Sequence, residues 1–155
     1  MSDLSDLISV EAIDAGLTVA NKKALFQQLA SAASRLTAMP SKQILASLNE
    51  RERLSSTGFG GGVAIPHGKI EGLSEIRGYF ARLHAPIDYQ AVDHLPVDIV
   101  FLLLSPPDAG ADHLKALARV SRTLRDSAMV AKLRGARSRD AIFALLAGVE
   151  SLYAA

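Results

Sequence analysis

From Val97 to Leu104 the chain reads Val-Asp-Ile-Val-Phe-Leu-Leu-Leu, an almost unbroken apolar run. Side chains along a strand alternate between two faces, so such a run is tolerated only where both faces of the sheet are covered. The run is too short to span a bilayer, and it contains Asp98. Pro106-Pro107 stops it, since neither residue can donate to a ladder. The chain is therefore constrained to place a central strand between two layers.

The flanking segments supply those layers. Leu25, Leu29, Ala32, Ala33 and Leu36 recur at helical spacing between Asn21 and Thr37, with Asn21 as N-cap and Pro40 as the stop. A second helix is predicted from Ser41 to Arg53, with Ile44, Leu45 and Leu48 buried. After the run, a helix starting at Asp112 carries Leu114, Leu117, Val120, Ser121 and Leu124 on one side. Helices over Ser127–Leu133 and Ser138–Ala147 follow, separated by Gly135. An early strand falls near Val10–Ala15, and Ile76–Leu83 reads as another, with Ile76, Gly78, Phe80 and Arg82 facing one way. Hairpin-like strands across Ile76–Asp88 predict a mixed sheet. Helices before and after the strands can cover both its faces, giving a three-layer α/β/α sandwich with a mixed β-sheet, expected as a single domain over residues 1–155.

Composition narrows the function classes. Apolar residues make up 49% and charged residues 21% of the 155, so a packed globule is expected. The net charge of +1 offers no basis for nucleic-acid binding, and the absence of cysteine excludes thiol chemistry. The first residues, Met-Ser-Asp-Leu-Ser-Asp, have no signal-peptide character, so a cytoplasmic protein without membrane insertion is expected.

The segment Thr57-Gly-Phe-Gly-Gly-Gly-Val-Ala-Ile-Pro-His67-Gly-Lys69 carries the chemistry. Pro66 biases Ile65 towards extended backbone, and Gly68 is expected to turn the chain at once, leaving the imidazole uncrowded. A ring so presented can serve as nucleophile, acid, base or ligand near neutral pH. The glycines lack the Lys-Ser/Thr of a P-loop and the spacing of a dinucleotide fingerprint. Arg51, just upstream, offers a planar set of donors suited to phosphoryl oxygens. His113 falls at the start of the helix after the central strand, where amide groups favour anions. No role is assigned to His84 or His94.

Arg51-Glu52, Ser56-Thr57-Gly58, Gly62-Val63-Ala64-Ile65-Pro66-His67-Gly68-Lys69 and His113-Leu114 together resemble the enzyme IIA domains of the bacterial phosphotransferase system. The likeness is to the fructose/mannitol/nitrogen type and covers about Leu7 to Ala147. It implies that His67 is the phosphorylated nucleophile, that Arg51 steadies the phosphoryl group, and that His113 is its active-site neighbour. It implies an HPr-like phosphohistidine protein as donor, with no cofactor or metal. The free-standing domain is most similar to the nitrogen-type branch, which implies a regulatory target protein; onward transfer to a IIB domain is the sugar-uptake alternative. A third possibility is a binding module merely switched by phosphorylation.

On this reading Thr57, Gly58, Gly60, Gly61, Gly62 and Gly68 are candidate phosphoryl-binding positions through their backbone N–H groups. Attack is expected through Nε2 of His67, with Nδ1–H held by a local acceptor. Phe59, Ile65 and Gly60–Gly62 would form an apolar rim for the donor. A metal hydrolase using His67, His113 and Asp112 lacks a dense ligand cluster or HExxH, and a serine hydrolase lacks G-x-S-x-G.

Overall fold

A computed structural model describes residues 3–149; residues 1–2 and 150–155, the ends of the expected 1–155 domain, lie outside the described residues. The strands are β1 (Ile13–Leu17), β2 (Gly58–Gly60), β3 (Val63–Ala64), β4 (His67–Lys69), β5 (Arg77–Ile87) and β6 (Val97–Ser105). The helices are α1 (Lys22–Thr37), α2 (Ser41–Leu54), α3 (Ala111–Arg125), α4 (Ser127–Gly135) and α5 (Arg139–Ala147). The sheet order is β1-β5-β6-β3-β2, with β4 also on β6. β5–β6 and β2–β3 are antiparallel, whereas β1–β5, β3–β6 and β4–β6 are parallel, so the sheet is mixed.

The apolar run is β6, and its alternation divides the core. Ile99, Phe101 and Leu103 pack with residues of α3, α4 and α5, among them Val120, Leu133 and Ile142. Val100, Leu102 and Leu104 pack with Leu25, Leu29, Ile44 and Leu48 of α1 and α2. These β6 side chains are essentially inaccessible, each contributing roughly 1.5–3 kcal/mol by burial. Asp98, the one charge in the run, is gripped by both ends of the Arg134 guanidinium, Nε to Oδ2 at 2.9 Å and Nη2 to Oδ1 at 2.8 Å. Arg82 donates to the carbonyls of Leu133, Arg134 and Ala136, satisfying the C-terminal end of α4 that no intrahelical donor reaches.

Helix caps follow the chemistry expected of them. Asn21 accepts from the Ala24 amide at 2.8 Å, and Ser138 accepts from that of Ala141 at 3.1 Å. Three expectations need correction. Residues 77–87 form one strand, not a hairpin; the turn that reverses the chain lies between β5 and β6, where Tyr89 and Ala91 are buried. The early strand starts later, at Ile13, because Val10–Ala12 winds into a short 3₁₀ turn. The buried side of α3 is rotated: His113, Ala116, Val120, Thr123 and Leu124 face inward, while Leu114 is 66% exposed and Ser121 only half-buried.

β3 and β4 are two pieces of one line of strand beside β6. Val63 lies opposite Ile99, Ala64 opposite Val100 and His67 opposite Leu103, a constant offset along β6. The break falls at Ile65-Pro66, where proline has no amide to give, although its carbonyl still accepts from Leu103 at 3.0 Å. This interruption places His67.

Candidate functional site

His67 opens β4 on the face of Val63 and Leu103, the face that α3 covers. Its Nδ1 lies 2.8 Å from the Ile65 carbonyl oxygen. A carbonyl only accepts, so Nδ1 carries the proton and Nε2 holds a lone pair. Arg51, in the last turn of α2, donates from Nε to that lone pair at 3.1 Å and from Nη1 to the Ser55 carbonyl at 3.0 Å. Arg51 thus reaches round the sheet edge from one helical layer while His113 arrives from the other. The two imidazoles stand 5.6 Å apart, centroid to centroid, tilted by 46°. Behind His113, its Nδ1 lies 2.6 Å from the hydroxyl of buried Ser105.

These groups border an open depression of about 400 Å³. Glu50, Leu54, Gly68 and Lys69 complete much of its wall. Burial, first of all, holds the His67 ring below the ordinary imidazole pKa; the Ile65 carbonyl opposes this, Arg51 lowers it further and Glu52 raises it. Burial also lowers His113, followed by the influence of His67 and Lys69. Both rings are therefore neutral at pH 7. Among the described residues no group of three or more His, Cys, Asp or Glu side chains is gathered as a metal ion would need.

Gly68 is needed for a reason other than the expected turn. The chain continues as a strand through it, and a Cβ there would collide with the Ser47 hydroxyl of α2. That hydroxyl itself bonds the Lys69 carbonyl at 3.0 Å, so α2 rides directly on β4. The close approach is what brings Arg51 within reach of His67.

The glycine turn lies elsewhere. Thr57, Gly58, Gly60, Gly61 and Gly62 do not line the His67 depression; Gly60 and Gly61 border a separate one of about 440 Å³ with Val63, Leu124 and Arg134. The Gly61 amide is taken by Asp93 at 3.0 Å and that of Gly58 by the Ser56 hydroxyl at 3.1 Å. Positive φ at Gly60, Gly61 and Gly62 makes this a tight connection from β2 to β3. Thr57 is engaged by Glu52, amide at 2.8 Å and hydroxyl at 2.6 Å, and by the Tyr89 hydroxyl at 2.7 Å. Glu52 also pairs with Lys22 at 2.8 Å, tying the end of α2 to the turn and to α1. The expected apolar rim is displaced as well. Ile65 is buried, and Phe59 packs on the core beneath Arg125. The exposed apolar residues by His67 are instead Leu54 (80%), which lines the depression, and Leu114 (66%), next to His113.

Ser105, Lys69 and Leu54 escaped the sequence reading. Ser105 merely ends the apolar run, with nothing in its spacing to show that it meets His113. Lys69 closes the Pro-His-Gly-Lys string but gives no sign of its direction.

A mixed sheet between two helical layers, with paired imidazoles and an arginine at its edge, belongs to a known class. The family model for the phosphoenolpyruvate-dependent sugar phosphotransferase system, EIIA 2, matches residues 6–149, and the chain belongs to that family. It is 50% identical over 144 residues to a nitrogen regulatory protein of Bradyrhizobium diazoefficiens, covering 93% of this chain and 94% of that protein. The crystal structure of nitrogen regulatory protein IIA-Ntr from Neisseria meningitidis superposes with a TM-score of 0.88 at 30% identity, over 92% of this chain and 98% of the other. IIA mannitol from Escherichia coli, 17% identical, shares the fold with a TM-score of 0.77 over 90% of this chain and 99% of its own.

Proposed function

We propose that this protein is a phosphoryl carrier that accepts a phosphoryl group on Nε2 of His67 from an HPr-like phosphohistidine protein. The observation that carries this reading is the Ile65 carbonyl on Nδ1, which leaves the opposite lone pair directed at Arg51 and the open depression.

In the transfer, the P–N bond to the donor's imidazole breaks and a P–N bond to His67 Nε2 forms. The donor ring leaves with the electron pair. The proton stays on His67 Nδ1, donated in its hydrogen bond to the Ile65 carbonyl, so the ring acquires positive charge against the phosphoryl dianion. Phosphoryl transfer has a loose transition state, and positioning and charge stabilisation do most of the work. Arg51 supplies the nearest charge: its Nε must release the lone pair as phosphorus approaches and is then free to bond a phosphoryl oxygen. Lys69 adds a second cation at the rim, and Leu54 and Leu114 offer the donor apolar contact.

A regulatory role is supported by the relatives named nitrogen regulatory proteins, and a cytoplasmic location with a target protein reading the phosphorylation state belongs to the same proposal. No helix among the described residues is long and apolar enough to cross a membrane. Incubation with a phosphorylated HPr-like donor should place one acid-labile, base-stable label on the protein. His67→Ala should remove it entirely, and full labelling of that variant would refute the assignment.

A further inference from the structure

Ser105 ends β6, wholly buried, with its hydroxyl 2.6 Å from Nδ1 of His113. Among the described residues this ring nitrogen is the hydroxyl's one hydrogen-bond partner. Two arrangements of protons fit that distance. If Nδ1–H donated to the hydroxyl oxygen, the hydroxyl's own proton would be buried with no acceptor, which is costly. If the hydroxyl donates to Nδ1, both groups are satisfied and the ring proton sits on Nε2.

We propose that Ser105 is a positioning residue that selects the Nε2–H tautomer of His113, so that this ring meets the phosphoryl oxygens as a neutral hydrogen-bond donor. His113 borders the depression beside His67, and with Nδ1 turned back to Ser105 its Nε2 edge is the one offered there. His67 is held in the opposite tautomer by the Ile65 carbonyl. One ring then presents a lone pair and the other an N–H to the same group. Two rings of the His67 type would direct two lone pairs at it, and His113 would repel phosphoryl oxygens instead of binding them. A neutral hydroxyl behind His113, unlike a carboxylate, does not promote its protonation beside His67.

The tautomer follows from hydrogen-bond satisfaction alone; the part it plays rests on the phosphoryl-carrier reading. Nitrogen NMR of the histidine side chains in the unphosphorylated protein, at a pH where both rings are neutral, reads it directly. His113 should show a protonated Nε2 and a bare Nδ1, with His67 the reverse. A protonated Nδ1 on His113 overturns the proposal. In Ser105→Ala the His113 nitrogens should shift towards a tautomer mixture while His67 keeps its pattern, and phosphoryl acceptance should slow roughly 3- to 10-fold, the worth of one neutral hydrogen bond. Ser105→Cys, a near-isosteric weak donor, should fall between and also serves if the alanine variant does not fold. An unchanged rate in a variant whose tautomer has shifted would overturn the positioning role. Wild type that takes no label at His67 defeats the carrier reading, while the spectrum still decides the tautomer.

Discussion

Arg51 shows how one side chain can define a site. Its guanidinium is fixed by the Ser55 carbonyl on one nitrogen and by His67 on another, and among the described residues no carboxylate pairs with it. The positive charge therefore remains available for an incoming anion. Hydrogen bonds to charged groups are worth about 1.5–3 kcal/mol, so Arg51→Ala should slow labelling of His67 roughly 10- to 150-fold. Arg51→Lys should recover only part of that loss, because an ammonium keeps the charge but not the two-pronged geometry. Rates of label uptake from a phosphorylated donor test this, and equal rates for all three proteins would remove Arg51 from the mechanism. The arginine and both histidines stood out in the sequence because their neighbours, Glu52, Pro66, Gly68 and Leu114, form a recognisable string. Ser105 did not, since a serine after an apolar run carries no local mark of what it touches.

At the scale of elements, the site depends on how closely α2 can approach β4. Gly68 permits that approach, and Ser47 makes use of it by bonding the Lys69 carbonyl. Gly68→Ala should push α2 outward, cost about 1–3 kcal/mol in stability, and slow labelling by withdrawing Arg51. The penalty should shrink in a Ser47→Ala background, because the clashing hydroxyl is gone; contacting residues show such non-additivity. Urea denaturation of the four proteins measures the coupling, and strictly additive costs would show that the clash is not the cause. The glycine turn illustrates the opposite outcome. The family resemblance made its amides candidates for holding the phosphoryl group, yet the Gly61 and Gly58 amides are already occupied by Asp93 and Ser56. Glycine content reports that the backbone must turn sharply, not what the turn faces.

Across the whole molecule, two imidazoles held below their usual pKa link folding to pH. The unfolded chain takes up protons on these rings near pH 6.5, whereas the folded protein resists until lower pH. Their contribution to stability is thus fully present above about pH 6.5 and is lost as pH falls through the depressed folded values. Urea unfolding at neutral and mildly acidic pH should show this decline, and the double variant His67→Gln/His113→Gln should flatten it. A decline of equal size in the double variant would place its origin elsewhere.

The layered fold was readable because it rests on local periodicity. The Val97–Leu104 run, the Asn21 cap and the spacing of Leu25 and Leu29 constrain short stretches of backbone and their buried sides, and the observed elements follow them closely. The residues of the candidate site were readable for the same reason, through a contiguous string around His67. What only the tertiary structure decided was which distant atoms meet. Register along β6 set His67 opposite Leu103 and Ser105 beneath His113, and packing rotated α3 so that Leu114 turned to solvent while His113 went in. Such contacts arise from the global balance of burial and hydrogen-bond satisfaction, for which no local pattern stands as a proxy.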